Sequence, residues 1–237
     1  MLHTSPAVTE SAVPAPRVPV SGAALSLPEL RVVSHCGPAR DVLENYVHRV
    51  FARTYGAEVN SFMPLLAGLY RDGEPEAAFG LRSAASQPLF CEHYLDRPVE
   101  HYASTLYGTL APRQRIMELG NLAASRGGHS GILYLIVACA LQAGGVDYLL
   151  FAANKAVRRS LSRCGFSPRP IQGARPECLP DGGESWGRYY DSEPVVMLAD
   201  VNRTVRQAAT QPGMVALMAQ YATAITTLAA AVAREAQ

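Results

Sequence analysis

One carboxylate, Glu118, stands in the middle of a mainly apolar stretch at residues 115–123. The length and composition of this stretch predict a buried strand. A carboxylate in such a strand can take a proton from an amine nucleophile, directly or through water, or can anchor the amine. The alternative is a structural glutamate at the strand edge that pairs with Arg82 or Arg115.

Two more carboxylates, Glu92 and Glu100, flank a turn that contains Pro98. Glu92 is the second candidate for a catalytic carboxylate, and a structural or substrate-ordering role is the alternative for both. The histidines show no spacing typical of metal ligands, and the scattered cysteines form no C-x-x-C pair. The sequence therefore predicts no metal site.

A glycine-rich loop follows the Glu118 strand and precedes an apolar segment, residues 132–143, that predicts a helix. Glycines let backbone N–H groups approach a ligand closely, and a helix N-terminus adds partial positive charge. We therefore expect the loop to bind a pyrophosphate, a phosphopantetheine or a carboxylate. The candidate binding residues are Arg126, Gly127, Gly128, His129, Ser130 and Gly131.

A second strand-helix unit lies at residues 147–166. Residues 148–151 form an apolar strand, Asn154 occupies the N-cap position, and Gly165 ends the helix. This unit resembles the closing unit of the GNAT-type N-acyltransferase fold. That resemblance adds Asn154 to the candidate donor-binding residues.

The remaining elements complete a mixed sheet. We expect a strand at residues 30–33, a helix at 41–55, and a hairpin of strands at 64–70 and 77–82. Asp72 and Gly73 form the hairpin turn, within a loop that extends through Glu76. The apolar face of the helix is predicted to contain Val42, Tyr46, Val50 and Phe51, and closing strands are predicted at 186–191 and 194–199. The expected fold class is α/β, a GNAT-like mixed central β-sheet flanked by helices with an added C-terminal helix.

The two ends of the chain differ from its middle. Residues 1–27 are rich in Pro, Ala and Ser and are expected to be disordered. Residues 28–202 are expected to form the acyltransferase-like domain, and 203–237 a helical appendage. In that tail, apolar residues recur in heptad fashion at Met214, Met218, Tyr221, Ile225, Leu228 and Val232. The helix either packs on its own domain or forms a homodimer; membrane contact is not expected, because its polar face lacks basic residues.

Charge and composition exclude several classes of protein. The net charge is +1, which gives no indication of nucleic-acid binding. No basic-then-apolar leader opens the sequence, and no run of about 18 apolar residues predicts a transmembrane helix. Five unpaired-looking cysteines fit a reducing compartment. We therefore expect a cytoplasmic protein.

Three strings resemble the thermostable hemolysin family of bacteria over about residues 30–200. They are Leu-Phe-x-Glu-x-Tyr-Leu at residues 89–95, Glu-x-Gly-Asn-Leu-Ala at 118–123 and Trp-Gly-Arg-Tyr-Tyr-Asp at 186–191. That family is similar in turn to the acyl-homoserine lactone synthases. The resemblance implies that Glu118 and Arg82 are site residues, while Asn121 replaces the arginine of the synthases' Glu-Ser-Ser-Arg string. Because their tryptophan-bearing substrate loop has no match either, use of S-adenosylmethionine is not implied.

The predicted function is N-acyl transfer to the amine of a small metabolite. The donor would be acyl-CoA or an acyl group on phosphopantetheine, with acyl carrier protein as a candidate partner and no tightly bound cofactor. The alternatives are a membrane-active haemolysin-type protein and a non-catalytic protein that binds acyl ligands.

Overall fold

The computed structural model describes residues 28–34, 36–85, 87–124 and 130–237. The strands are β1 (Glu29–Val33), β2 (Leu65–Arg71), β3 (Glu74–Ser83), β4 (Ile116–Ala124), β5 (Tyr148–Ala153), β6 (Arg169–Gly173) and β7 (Val195–Asp200). The helices are α1 (Pro38–Tyr55), α2 (Val99–Tyr107), α3 (Ser130–Ala143), α4 (Lys155–Arg163), α5 (Val201–Ala209), α6 (Pro212–Gln220) and α7 (Ala222–Glu235). The segments 1–27 and 125–129, with the expected disordered end and most of the glycine-rich loop, lie outside the described residues.

The seven strands form one mixed sheet in the order β1-β2-β3-β4-β5-β7-β6. Only β4 and β5 run parallel; the other neighbouring strands are antiparallel. A parallel pair requires a crossover, which α3 supplies. Helices cover both faces, so the predicted mixed α/β sheet flanked by helices is confirmed.

The parallel pair is short, because β4 and β5 part after three residues each. Ile116 to Glu118 pair with Tyr148 to Leu150, and no further pairing follows. Just beyond this point Asn121 has a φ of 50°, and β4 shifts register against β3. Such a bulge bends a strand and increases its twist. A gap therefore opens inside the sheet immediately after Glu118.

The sheet has two distinct faces around this gap. The face that carries Ile116 and Glu118, here the Glu118 face, is covered by α1, α2 and a 3₁₀ turn at Phe90–Tyr94. The face that carries Met117 and Leu119, here the Met117 face, is covered by α3 to α7. Alternation along a strand separates these two sets of side chains.

A close approach of chain to sheet fixes the segment between α1 and β2. Gly80 and Gly120 are partners on adjacent strands, and the side chain of Met63 lies directly over both. A Cβ at either glycine would overlap Met63. Asn121 holds the same segment, since its Oδ1 accepts a hydrogen bond from the Met63 N–H at 2.8 Å and its Nδ2 donates to the Ser61 carbonyl at 3.2 Å.

The C-terminal helices share the core of the Met117 face. Leu228 and Val232 on α7 are completely buried. The heptad spacing predicts one continuous helix. This prediction is wrong, because the helix breaks at Tyr221 and the chain bends by 73° between α6 and α7. Within the described residues no single helix is long and apolar enough to cross a membrane, and only this bent pair passes that test of length and composition.

Three local expectations are also wrong. Residues 186–191 form 3₁₀ turns instead of a strand. The hairpin loop does not extend through Glu76, because Asp72 and Gly73 alone make the turn, with φ of 51° and 85°, and β3 begins at Glu74. On α1 the expected apolar face is wrong only in part: Tyr46 and Phe51 are buried, but Val42 is 46% exposed, and Leu43 and Val47 complete the buried face.

We expect Gly144→Ala to lower the free energy of unfolding by about 1–3 kcal/mol. A Cβ at Gly144, just after α3, would lie 2.5 Å from Val232 Cγ1, and the β-branched valine has little freedom to move. Chemical denaturation measures the difference. The matched control is Gly213→Ala on α6, where a Cβ meets no atom within 4 Å; equal losses in both variants would contradict the tight α3–α7 contact.

Candidate active site

A cavity of about 150 Å³ lies on the Glu118 face, where β4 and β5 part. Glu118 and Arg82 lie on its sheet side, and aromatic side chains form much of the remaining wall. The aromatic members are Phe51, Tyr55, Phe90, Tyr94, Trp186 and Tyr189. A concave site that combines apolar walls with a few charged groups is typical of a small-molecule site.

Glu118 is 1% exposed, and both of its carboxylate oxygens accept backbone hydrogen bonds. The Phe90 N–H donates to Oε2 at 2.8 Å, and the Cys91 N–H donates to Oε1 at 2.7 Å. Burial raises the pKa of the Glu118 carboxyl above its usual value. The hydrogen bonds from Cys91 and Phe90 and the charge of Arg82 limit that rise.

Arg82 is the cross-strand partner of Glu118 on β3, so both side chains point to the same face. Neither pairing that was expected for a purely structural glutamate is present within 4.0 Å. Arg115 instead binds Asp147, with two hydrogen bonds of 2.8 Å. Arg82 makes no ion pair with a described residue, and its Nε is buried without a hydrogen-bond partner there.

Glu92 lies outside this cavity, in a surface groove next to Arg113. The Arg113 guanidinium donates to Glu92 at 2.8 and 2.9 Å and to Glu100 at 2.8 Å. Backbone N–H groups of Leu89 and Val99 also donate to Glu92. These contacts tie together the turn and the start of α2, which is the structural alternative for Glu92; its catalytic role stays a prediction.

The pKa of Glu92 reflects the same contacts. Burial alone would raise the pKa, but the hydrogen bonds from Arg113 and from the two backbone N–H groups outweigh it, and the pKa lies below its usual value. The carboxyl is therefore ionised at neutral pH, with its oxygens already engaged.

Asn154 lines the cavity at the point where α4 begins. Its Oδ1 accepts from the Val157 N–H at 2.9 Å, which confirms the predicted N-cap, and its Nδ2 donates to the Tyr55 hydroxyl at 2.7 Å. A groove of about 180 Å³ passes Asn154 and Ser130, the first residue of α3. Ser130 and Gly131 thus place the end of the glycine-rich loop beside the gap, whereas Arg126, Gly127, Gly128 and His129 lie outside the described residues.

A second, apolar cavity of about 50 Å³ lies on the Met117 face. It shares Leu119, Leu122, Phe151 and Val157 with the first cavity, so the two meet at the gap between β4 and β5. Polar chemistry is available on one side of the sheet and an apolar pocket on the other.

Sequence reasoning missed several residues of the site. In the sequence, Asn121 stands out only as a departure from the synthases' string, although a glycine within a strand, here Gly120, indicates a bulge. Nothing in the sequence marks Tyr55 and Met63 as site residues, because their roles depend on contacts with residues distant in sequence. Among the described residues no group of three His, Cys, Asp or Glu side chains is placed to hold a metal ion.

Comparisons with known proteins concern the family and the fold of the chain. A sequence model of the thermostable hemolysin family matches residues 33–205. The structure is similar to FeeM, an N-acyl amino acid synthase from uncultured soil microbes, with a TM-score of 0.50 and 15% identity over 76% of this chain and 95% of that one. It is also similar to the AHL synthase LasI, with a TM-score of 0.50 and 14% identity over 76% of this chain and 92% of that one. These likenesses show that the chain shares the fold of these two synthases.

Among curated proteins, no sequence matches the chain.

We expect Glu92→Gln to lower the free energy of unfolding by roughly 1–3 kcal/mol at neutral pH, because it weakens the charged contact with Arg113. Since the folded-state pKa of Glu92 is lowered, its stabilisation is present at neutral pH and is lost as pH falls through that pKa. Denaturation at several pH values measures this convergence. Glu100→Gln, at a side chain 36% exposed with one bond to Arg113, should cost less; a Glu92→Gln variant of full stability would contradict the structural role.

Proposed function

The chain belongs to the thermostable hemolysin family, and from that premise we propose that it is an N-acyltransferase. It moves an acyl group from the thioester of acyl-CoA or acyl carrier protein to the amine of a small metabolite. The observation that carries the proposal is the buried carboxylate of Glu118, positioned in a cavity at the point where β4 and β5 part.

The reaction needs a base, an oxyanion site and a leaving group. The amine nitrogen attacks the thioester carbonyl, the C–N bond forms and the C–S bond breaks. The amine proton passes to Glu118, directly or through water, and the thiolate of the donor leaves and takes up a proton. Burial raises the pKa of Glu118 towards neutral pH, and this makes its carboxylate a better base.

Backbone groups of β4 supply the oxyanion site. Beyond Glu118 the edge of β4 that faces β5 has no strand partner among the described residues. N–H groups along this edge are available to the carbonyl oxygen of the donor, and they are preorganised because β3 and Asn121 hold the strand from the other side.

The donor is proposed to enter along the groove between Ser130 and Asn154. Its phosphate-bearing arm would lie against the loop at residues 126–131 and the N-terminus of α3. The acyl chain would enter the gap, and the apolar cavity on the Met117 face would hold its first carbons. No tightly bound cofactor and no S-adenosylmethionine enter this scheme.

The exposed face of α4 supports a carrier protein as donor. Lys155, Arg159 and Arg163 are exposed there, and none forms an ion pair with a described residue. A cluster of cations on α4, the helix whose first turn lines the donor groove, favours a partner with an acidic surface. Arg158 belongs to the scaffold, since it donates to the carbonyls of Ala153 and Glu193.

The test of the function is acyl transfer by purified protein, followed as thiol release and as N-acyl product by mass spectrometry. Amine pools are offered with acyl-CoA and with acyl carrier protein. Release of thiol with formation of an amide supports the proposal. Donor binding without turnover would favour a non-catalytic acyl-ligand protein, and lysis of red cells by the protein alone, with no transfer, would favour a membrane-active one.

We expect Glu118→Gln to reduce turnover by roughly 10²–10⁴-fold with little change in donor affinity. The amide keeps one oxygen for a backbone N–H but cannot act as the base. For the wild type, kcat/KM should rise with pH through an apparent pKa above the usual glutamate value, because the base must be deprotonated and its pKa is raised by burial. Normal turnover of a folded Glu118→Gln variant would leave the carboxylate with only a structural role.

We expect the double variant Arg159→Glu and Arg163→Glu to weaken transfer from acyl carrier protein more than transfer from acyl-CoA. The substitutions reverse two exposed charges and leave the cavity intact. The measurement is KM for each donor at two salt concentrations, since added salt should narrow the difference. Arg31→Glu, on the distant edge strand β1, is the control; equal losses with both donors would argue against docking on α4.

A further inference from the structure

The guanidinium of Arg82 has hydrogen-bond donors that have no partner among the described residues. Its side chain lines the cavity beside Glu118, and its Nε is buried with no hydrogen-bond partner. No hydrogen bond or ion pair links any guanidinium nitrogen to a described residue. Buried polar groups in native proteins are almost always bonded, and an unbonded charged donor is costly.

The nearest carboxylates do not meet this need. Glu118 is the cross-strand partner of Arg82, but its oxygens face the N–H groups of Phe90 and Cys91, with no ion pair to Arg82 within 4.0 Å. Glu235 is also influenced by the charge of Arg82. It lies on α7, however, and approaches Ser83 from the Met117 face. The guanidinium is therefore directed at the space that a substrate would occupy.

We propose that Arg82 binds a carboxylate of the acceptor, so that the acceptor is an amino acid or a similar amine that carries an acid group. This inference rests on the proposed function. A guanidinium presents a planar fork that matches a carboxylate in bidentate fashion. With Glu118 taking the amine and Arg82 taking the carboxylate, the two charges of the site complement the two charges of a zwitterionic amino acid.

The pairing also explains selectivity. An amine without an acid group would leave the partly buried guanidinium without a hydrogen-bond partner. Sites built for a charged group reject analogues that lack it. Because Arg82 and Glu118 lie on adjacent strands in fixed register, the spacing between the two binding groups is set by the sheet.

A binding experiment tests Arg82 without requiring turnover. Trp186 is the only tryptophan and lines the same cavity, so its fluorescence reports ligand entry. The probes are N-decanoylglycine and N-decanoylglycinamide, which differ only in the carboxylate. The wild type should bind the acid roughly 10- to 100-fold more tightly than the amide.

The variants assign that preference to Arg82. Arg82→Met should bring the acid-to-amide ratio close to one, and Arg82→Lys, which keeps the charge but loses the fork, should give an intermediate ratio. Arg31→Met, at an exposed pair with Glu29, should keep the wild-type ratio. If Arg82→Met does not fold, Arg82→Gln takes its place, with circular dichroism as the check.

The outcomes separate this inference from the proposed function. Equal affinity of the wild type for the acid and the amide, or binding of neither, overturns the carboxylate site. An unchanged ratio in Arg82→Met overturns the assignment to Arg82. Acyl transfer to amines regardless of an acid group would keep the proposed function and remove this inference. Acid-selective binding without transfer would keep a carboxylate-binding site at Arg82 but would remove both the proposed function and the bound acid's role as an acceptor.

Discussion

The carboxylate of Glu118 joins the central strand to the 3₁₀ turn that closes the cavity. It is almost fully buried, yet it accepts two short hydrogen bonds from the N–H groups of Phe90 and Cys91. Burying an ionised carboxylate is costly unless hydrogen bonds and a nearby cation compensate. Here the turn supplies the hydrogen bonds and Arg82 supplies the charge, so the position of the turn and the chemistry of the cavity depend on the same side chain.

The separation of β4 and β5 creates the cavity into which a substrate of Glu118 would bind. If the parallel pairing continued past Glu118, the two strands would leave no gap, and the sheet would separate its two faces completely. The bulge at Asn121 turns β4 away, and the close contact of Met63 with Gly80 and Gly120 holds the bent strand in place. A polar cavity and an apolar one then meet through the sheet, which suits a substrate with a reactive head and an apolar tail.

Local patterns predicted the elements that depend on local physics. The Asn154 cap, the Gly165 stop and the Glu118 strand follow from spacing and residue type, and the structure has all three. Failures occurred where distant contacts decide. The aromatic run at residues 186–191 has the composition of a strand, but Trp186 and Tyr189 pack against Phe51 of α1 and form turns. The heptad stripe in the tail is real, but both halves pack on α3, and the break at Tyr221 lets them do so. Strand β6, with Pro170 and few apolar residues, gave no signal and forms because β7 offers an edge.

The family name and the proposed function point to different activities, and the physical properties of an acyl-transfer product can connect them. Joining an acyl chain to an amine that carries a carboxylate removes the positive charge of the amine and keeps the negative charge of the acid. The product is an anionic amphiphile, which partitions into bilayers with about 0.8 kcal/mol for each buried methylene. Lysis would then follow from the product and scale with chain length, whereas lysis by the protein itself would depend on the bent pair α6 and α7. If the product is the lytic agent, Glu118→Gln should abolish haemolysis by cells that express the protein, while substitutions on the exposed face of α6, such as Val215→Ser, should leave it unchanged.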